Sequence, residues 1–210
     1  MATPVTLWFD VSCPYCWMTA QWIQEVEKVR DLDLEFTPMS LSVLNDGRDI
    51  PADYAEKMKA NWGPARVFAK VKRDEPGKVR ELYQTMGTML HDEGESGKAD
   101  FGAYDGVIAA ALEKVGLDAA YAEVANTEEM DAELRAYHQA GMDAVGEDVG
   151  TPVVKVGEHA AFFGPVISRT PEGEEAGEVF DAVARLAQFP YFYSVNRART
   201  EAPQVGNVTT

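Results

Sequence analysis

The chain's two cysteines, Cys13 and Cys16, stand three positions apart in Ser12-Cys13-Pro14-Tyr15-Cys16. A disulfide closing so short a loop removes little entropy from the unfolded chain, so it is no structural staple. Two thiols at this spacing suit exchange chemistry instead: one thiolate attacks a sulfur or other electrophile, and the second thiol displaces what the first has captured. The competing reading is half of a zinc site, because a Cys-x-x-Cys pair supplies two tetrahedral ligands. The other two would have to come among His91, His138 and His159, which show no ligand-like spacing.

The elements around the motif favour redox. Residues 5–11 form a short apolar run with Leu7, Trp8 and Phe9, the pattern of a strand buried on both faces. After the motif, Met18, Trp22, Val26 and Val29 recur at helical spacing, with Gln21, Gln24, Glu25 and Lys28 on the other side, to about Arg30. Cys13 therefore opens a helix, whose unpaired N–H groups and partial positive charge of ~0.5 units favour a thiolate. Its pKa should lie below the ~8.5 of a free cysteine. Pro14 fits there, since a proline in the first turn gives up an N–H that has no partner. Cys16, one turn on, comes within disulfide reach but is more buried. Cys13 is then the attacking thiol and Cys16 the resolving one.

Leu32, Leu34 and Phe36 alternate with Asp33 and Glu35, a strand signal that ends near Pro38. Strand, helix and strand in sequence predict a parallel pair with a right-handed crossover. Residues 46–146 carry helical stretches and no convincing strand; one helix is expected from Asn126, paired with Glu129 as a capping box, through Tyr137. A hairpin follows, from the β-branched run Val153, Val154, Val156 and the stretch 161–163, and Thr170-Pro171 reads as the cap of a last helix. Trp17, Trp62, Phe162 and Phe163 read as core, though Trp17 adjoins the motif and could instead line a pocket, and the last twenty residues read as an irregular tail. The order β-α-β, then β-β-α, predicts an α/β thioredoxin-like fold with an all-helical insertion between its second and third strands. Residues 1–45 and 147–210 are expected to form the thioredoxin-like domain, and 46–146 the inserted subdomain.

In such a fold a cis-proline before the third strand faces the Cys-x-x-Cys, and Thr151-Pro152 occupies that position; the alternative is an ordinary trans proline. His91 could exchange a proton with a substrate near the thiolate, or be a surface or packing residue. Asn45 follows the second strand, where loops reach the catalytic end of an α/β sheet, though Asn45-Asp46-Gly47 also reads as a simple turn. A net charge of −16 repels polyphosphates and anionic membranes, so nucleic acid is not an expected partner. The start of the chain has no basic leader or long apolar stretch, and no later run could span a bilayer, so the protein is expected in the cytoplasm. In that reducing compartment a disulfide is catalytic rather than permanent.

These residues resemble the DsbA-like branch of the thioredoxin superfamily and, more closely, the actinobacterial mycothiol-dependent nitroreductases, also called mycoredoxin-like. The likeness spans nearly the whole chain and rests on WFDVSCPYCW, MSLSVLN, HQAGMDAVGEDVGTP, AFFGPV and the EEAG that starts the last helix. It implies reduction of disulfides and of nitro-bearing small molecules, with mycothiol as electron-donating co-substrate and no tightly bound cofactor. Carried over by motif, Cys13 is the nucleophile, Cys16 the resolving cysteine and Pro152 the cis-proline. Pro14, Tyr15, Thr151, Asn45 and His91 belong to the expected pocket. Tyr15 stands where tryptophan is expected, giving CPYC, the glutaredoxin motif, which keeps a low-molecular-weight thiol as reductant. Secreted relatives are oxidants; without an export signal, flux here should be reductive. The alternatives are a general protein disulfide reductase or isomerase, an isomerase like the glutathione-dependent relatives, or a zinc-bearing interaction module. The expected partners are the thiol and a small-molecule or protein disulfide, with the chain a monomer or homodimer.

Overall fold

In a computed structural model, which describes residues 1–94, 103–147 and 149–206, the apolar run at the start forms β1 (Thr3–Phe9). It pairs in parallel with β2 (Leu32–Pro38), Val5 opposite Leu34 and Phe9 opposite Pro38, and α1 (Pro14–Glu27) is the crossover between them. The strand stops two residues short of the apolar run, because Asp10 turns the chain. Its side chain accepts the Ser12 N–H at 2.8 Å and its carbonyl accepts the Cys13 N–H at 3.0 Å. Those backbone groups are therefore taken away from the sheet.

β3 (Val153–Val156) lies antiparallel to β1, and β4 (Ala161–Phe163) folds back on β3, giving the strand order β2-β1-β3-β4. The last helix, α7 (Gly173–Ala187), packs beside α1, where the Trp22 indole donates to the Ala176 carbonyl at 3.1 Å and its ring lies 6.2 Å from that of Phe180. Between β2 and β3 the described chain is helical. It forms α2 (Leu41–Asn45), α3 (Ala52–Asp74), α4 (Val79–Gly87) with a π-helical turn over Thr88–Asp92, α5 (Asp105–Lys114), a 3₁₀ stretch over Ala119–Asn126, and α6 (Asp131–Val145). The sheet is a thioredoxin-like α/β core. The insertion expected over 46–146 includes residues 95–102, which lie outside the described residues, as do Asp148 and residues 207–210.

Neighbouring side chains of β1 serve opposite faces of the sheet. Phe9 meets Phe36, Phe68 and Tyr83, with centroids 4.3–6.1 Å away, while Trp8 packs with Met39, Met142 and Val153. The helices following β2 thus complete the core on which the motif rests.

Three local readings need correction. Asn126 caps nothing: the 3₁₀ stretch runs through it, its amide donates to the Asp105 carboxylate at 3.0 Å, and α6 starts only at Asp131. Thr170-Pro171 stops short of α7, whose N-cap is Glu172. Phe163 is 42% exposed rather than core, at the end of β4, a three-residue edge strand. Phe162 is half-buried and meets Phe192 edge-on.

Candidate active site

Cys13 is the N-cap of α1 and Pro14 its first residue, so its sulfur stands at the positive end of the helix, where the Cys16 amide favours the anion. Both cysteines are free thiols; Cys13 is 6% exposed and Cys16 fully buried. Their ionisations are pushed apart. The hydrogen bond from the Cys16 thiol pulls Cys13 below the usual cysteine value against the cost of burial; the Cys16 amide and Thr151 add to this, and the Asp10 charge opposes it. Burial, then the neighbouring Cys13, pushes Cys16 well above that value.

Thr151 touches both sulfurs. Its carbonyl lies 3.9 Å from Cys13 Sγ, and its hydroxyl is 3.0 Å from Cys16 Sγ, where either group can donate. The Thr151–Pro152 peptide is cis. Across the motif Trp17 is buried, stacked 5.6 Å from His91, and donates its indole N–H to Asp92 at 3.0 Å. Trp17 can lie there because Gly87 has no side chain: a β-carbon would sit 2.2 Å from a ring carbon. His91 is held 2.8 Å from the Val11 carbonyl, its one ring hydrogen bond among the described residues. A carbonyl only accepts, so His91 Nε2 carries the proton, and burial lowers the His91 pKa, which keeps the ring neutral. His91 therefore braces the loop into Cys13 through Val11. Asn45 ends α2, and its amide donates to the Leu41 carbonyl at 2.7 Å.

Residues 12–197 match the family described as Rv2466c-like, mycothiol-dependent nitroreductase Rv2466c. The chain belongs to this family. It is also 26% identical, over 95% of its length and 84% of the relative's, to the uncharacterized protein Rv2286c of Mycobacterium tuberculosis. Among solved structures it resembles the oxidoreductase DsbA of Xylella fastidiosa, with a TM-score of 0.55 at 16% identity over 88% of this chain and 86% of that one. It likewise resembles a 2-hydroxychromene-2-carboxylate isomerase, with a TM-score of 0.58 at 13% identity over 88% and 96%. At such identities the likeness speaks for the DsbA-like thioredoxin fold alone.

For a member of this family, several residues near the dithiol carry no sequence signal. Asp10 is 2% exposed, three positions before Cys13. Tyr54, in the first turn of α3, is half-buried; burial raises its phenol pKa, then the charges of Asp10 and Cys13 add to this, while Asn45 lowers it. A tyrosine at a helix start is unremarkable in a sequence, and only folding brings it toward Asn45. The described part of the C-terminal tail also reaches the site. The Arg199 guanidinium lies 5.3 Å above the half-buried Tyr15 ring, Glu201 pairs with Arg169, and the Gly206 N–H donates to the Asp92 carboxylate that holds Trp17. Among the described residues no group of three or more His, Cys, Asp or Glu could hold a metal ion, and no helix is long and apolar enough to cross a membrane.

Proposed function

We propose that the chain is a cytoplasmic thiol-disulfide reductase in which the Cys13–Cys16 dithiol reduces disulfides, and nitro-bearing small molecules, with mycothiol as electron source. The observation that carries this reading is the opposite displacement of two neighbouring thiols at one helix N-terminus, within a family described as mycothiol-dependent.

On a disulfide substrate the Cys13 thiolate attacks one sulfur, breaks the substrate S–S bond and expels the other sulfur as a thiolate, which takes a proton from solvent. Cys13 is then neutral in a mixed disulfide. Two of the three influences that raise Cys16, the hydrogen bond and the charge of Cys13, vanish at that moment, and the Thr151 hydroxyl still stabilises a Cys16 anion. Capture by Cys13 thus prepares Cys16 to lose its proton and attack Cys13, releasing the second half of the substrate as a thiol. The net change is two electrons and two protons to the substrate and a disulfide in the protein. Two mycothiol molecules, attacking in turn, restore the dithiol and leave as mycothiol disulfide. Pro14, Tyr15, Pro152, Asn45 and His91 surround the incoming group in this reading, with Tyr15 and Arg199 shaping the mouth.

The test is to incubate the oxidised protein separately with mycothiol, glutathione and a thioredoxin system and to count recovered thiols. Recovery with mycothiol well ahead of glutathione is expected. Recovery by the thioredoxin system alone, with indifference to mycothiol, would overturn the reading.

A further inference from the structure

Asp10 is the most deeply buried carboxylate near the dithiol, yet the exchange steps give it no part. Its partners are all donors. Oδ1 accepts from the Ser12 amide at 2.8 Å and the Ser12 hydroxyl at 2.7 Å, and Oδ2 accepts from the Leu41 amide at 2.7 Å. Burial pushes the Asp10 carboxyl above the usual carboxylate value, and the Ser12 hydroxyl, the Leu41 amide and the Ser12 amide work against that shift. A protonated carboxyl would waste one of those contacts, whereas an ionised one uses all three. The Ser12 hydroxyl is free to donate because it is itself served: Asn61 Nδ2 donates to it at 2.8 Å, and the Tyr104 hydroxyl donates to Asn61 Oδ1 at 2.8 Å. Asn61 is in α3 and Tyr104 just precedes α5, both nearly fully buried. Every hydrogen in this chain points toward Asp10.

We propose that Asp10 is a positioning residue that acts as an electrostatic brake on Cys13, an ionised carboxylate sustained by donors running from Tyr104 through Asn61 and Ser12, and that this charge makes the dithiol a stronger reductant. This deepens the reductase reading and rests on it. The reduced site places an anion on Cys13, while the disulfide carries none, so a fixed negative charge nearby raises the free energy of the reduced form alone. A dithiol whose reduced form is less stabilised gives up its electrons more readily, the opposite of the strongly oxidising sites in which the thiolate is highly stabilised. The other groups facing Cys13 leave Asp10 as the acting charge. Burial keeps the Tyr54 and Tyr83 phenols protonated, Cys16 holds its proton, and His91 is neutral.

The experiment equilibrates wild type, Asp10→Asn and Tyr104→Phe with mixtures of reduced and oxidised dithiothreitol at one pH. In this equilibrium two electrons and two protons pass between the protein dithiol and the reagent disulfide. Asp10→Asn is expected to shift the constant toward reduced protein by about three- to tenfold, ~15–30 mV for a two-electron couple. Alkylation of Cys13 at a pH below its ionisation midpoint should quicken by a similar factor. Tyr104→Phe, which removes one hydroxyl far from the sulfurs, should move both readouts the same way by about twofold, because a less supported Asp10 holds a proton more often. A purely structural role would lower the melting temperature of both variants without moving the potential. Folded variants whose potentials match wild type, or become more reducing, would overturn the brake. If Asp10→Asn does not fold, Tyr104→Phe decides by the same criterion. A wild-type protein with no reversible dithiol–disulfide equilibrium would overturn the reductase reading itself.

Discussion

The segment from Asp10 to Cys16 and the helical stretch between β2 and β3 contribute differently to the same site. Thr151 aside, the first supplies the groups that set the two sulfurs apart: the helix N-terminus, the second thiol and a carboxylate three residues upstream. The second supplies no reacting atom, but it fixes the first in place. Asn61 holds Ser12, His91 holds the Val11 carbonyl, and the Leu41 amide holds Asp10. Reactivity here is local in sequence, and its setting is assembled from far away. Changes in the first region should therefore act on chemistry, and changes in the second on stability and on the fine adjustment of the thiols.

The largest separation is expected at the cysteines. Cys13→Ser should lower turnover by about a thousandfold or more, as loss of a nucleophile generally does. Cys16→Ser should still capture substrate, leaving a mixed disulfide on Cys13 whose added mass a spectrometer reads directly. Equal residual turnover in the two variants would erase the division of labour. Next comes Gly87→Ala in α4, where the added methyl meets the Trp17 ring at 2.2 Å. Overpacking of this kind costs up to about 3 kcal/mol, measurable in urea unfolding. The displaced Trp17 should loosen the His91 contact with Val11 while both thiols remain present. An unaltered unfolding midpoint would mean that Trp17 is not anchored as described.

A smaller effect concerns His138 in α6, which is 5% exposed and accepts the Ser40 amide N–H on Nδ1 at 3.4 Å. Burial, then the charges of Arg135 and Arg48, lower its pKa to about 4 from an ordinary 6.5. The neutral ring is favoured in the folded protein, so its stabilisation is fully present above pH ~6.5 and is lost as pH falls toward 4. About 2 kcal/mol is at stake, given ~1.4 kcal/mol per pH unit and partial relaxation. Urea unfolding at pH 7 and pH 4 should show this loss in wild type and a visibly flatter dependence in His138→Gln. Parallel pH dependences would remove His138 from the acid response.

Sequence reasoning reached furthest where cause and effect are neighbours along the chain. The Cys-x-x-Cys pair, the strand before it and the helix after it lie within about thirty residues, and hydrophobic period alone separates them. Thr151-Pro152 was legible through its place before a β-branched run. The donors behind Asp10 were not: Ser12 and Asn61 are 49 positions apart and Asn61 and Tyr104 43, and no spacing rule joins a serine, an asparagine and a tyrosine over such gaps. The cap readings at Asn126 and Thr170 failed for a related reason. Capping residues are common in loops, and their local preference yields when tertiary contacts extend the preceding 3₁₀ stretch or delay the next helix.

Folding makes Cys13 ionise more readily than a free cysteine and Cys16 less readily. Alkylation of each thiol in the reduced protein, followed against pH by mass spectrometry of the separated peptides, measures this directly. Cys13 should react first, with a midpoint clearly below the ~8.5 of an unperturbed thiol, while Cys16 stays protected throughout. A Cys13 midpoint at or above that value, or prior modification of Cys16, would contradict the assignment of the attacking sulfur.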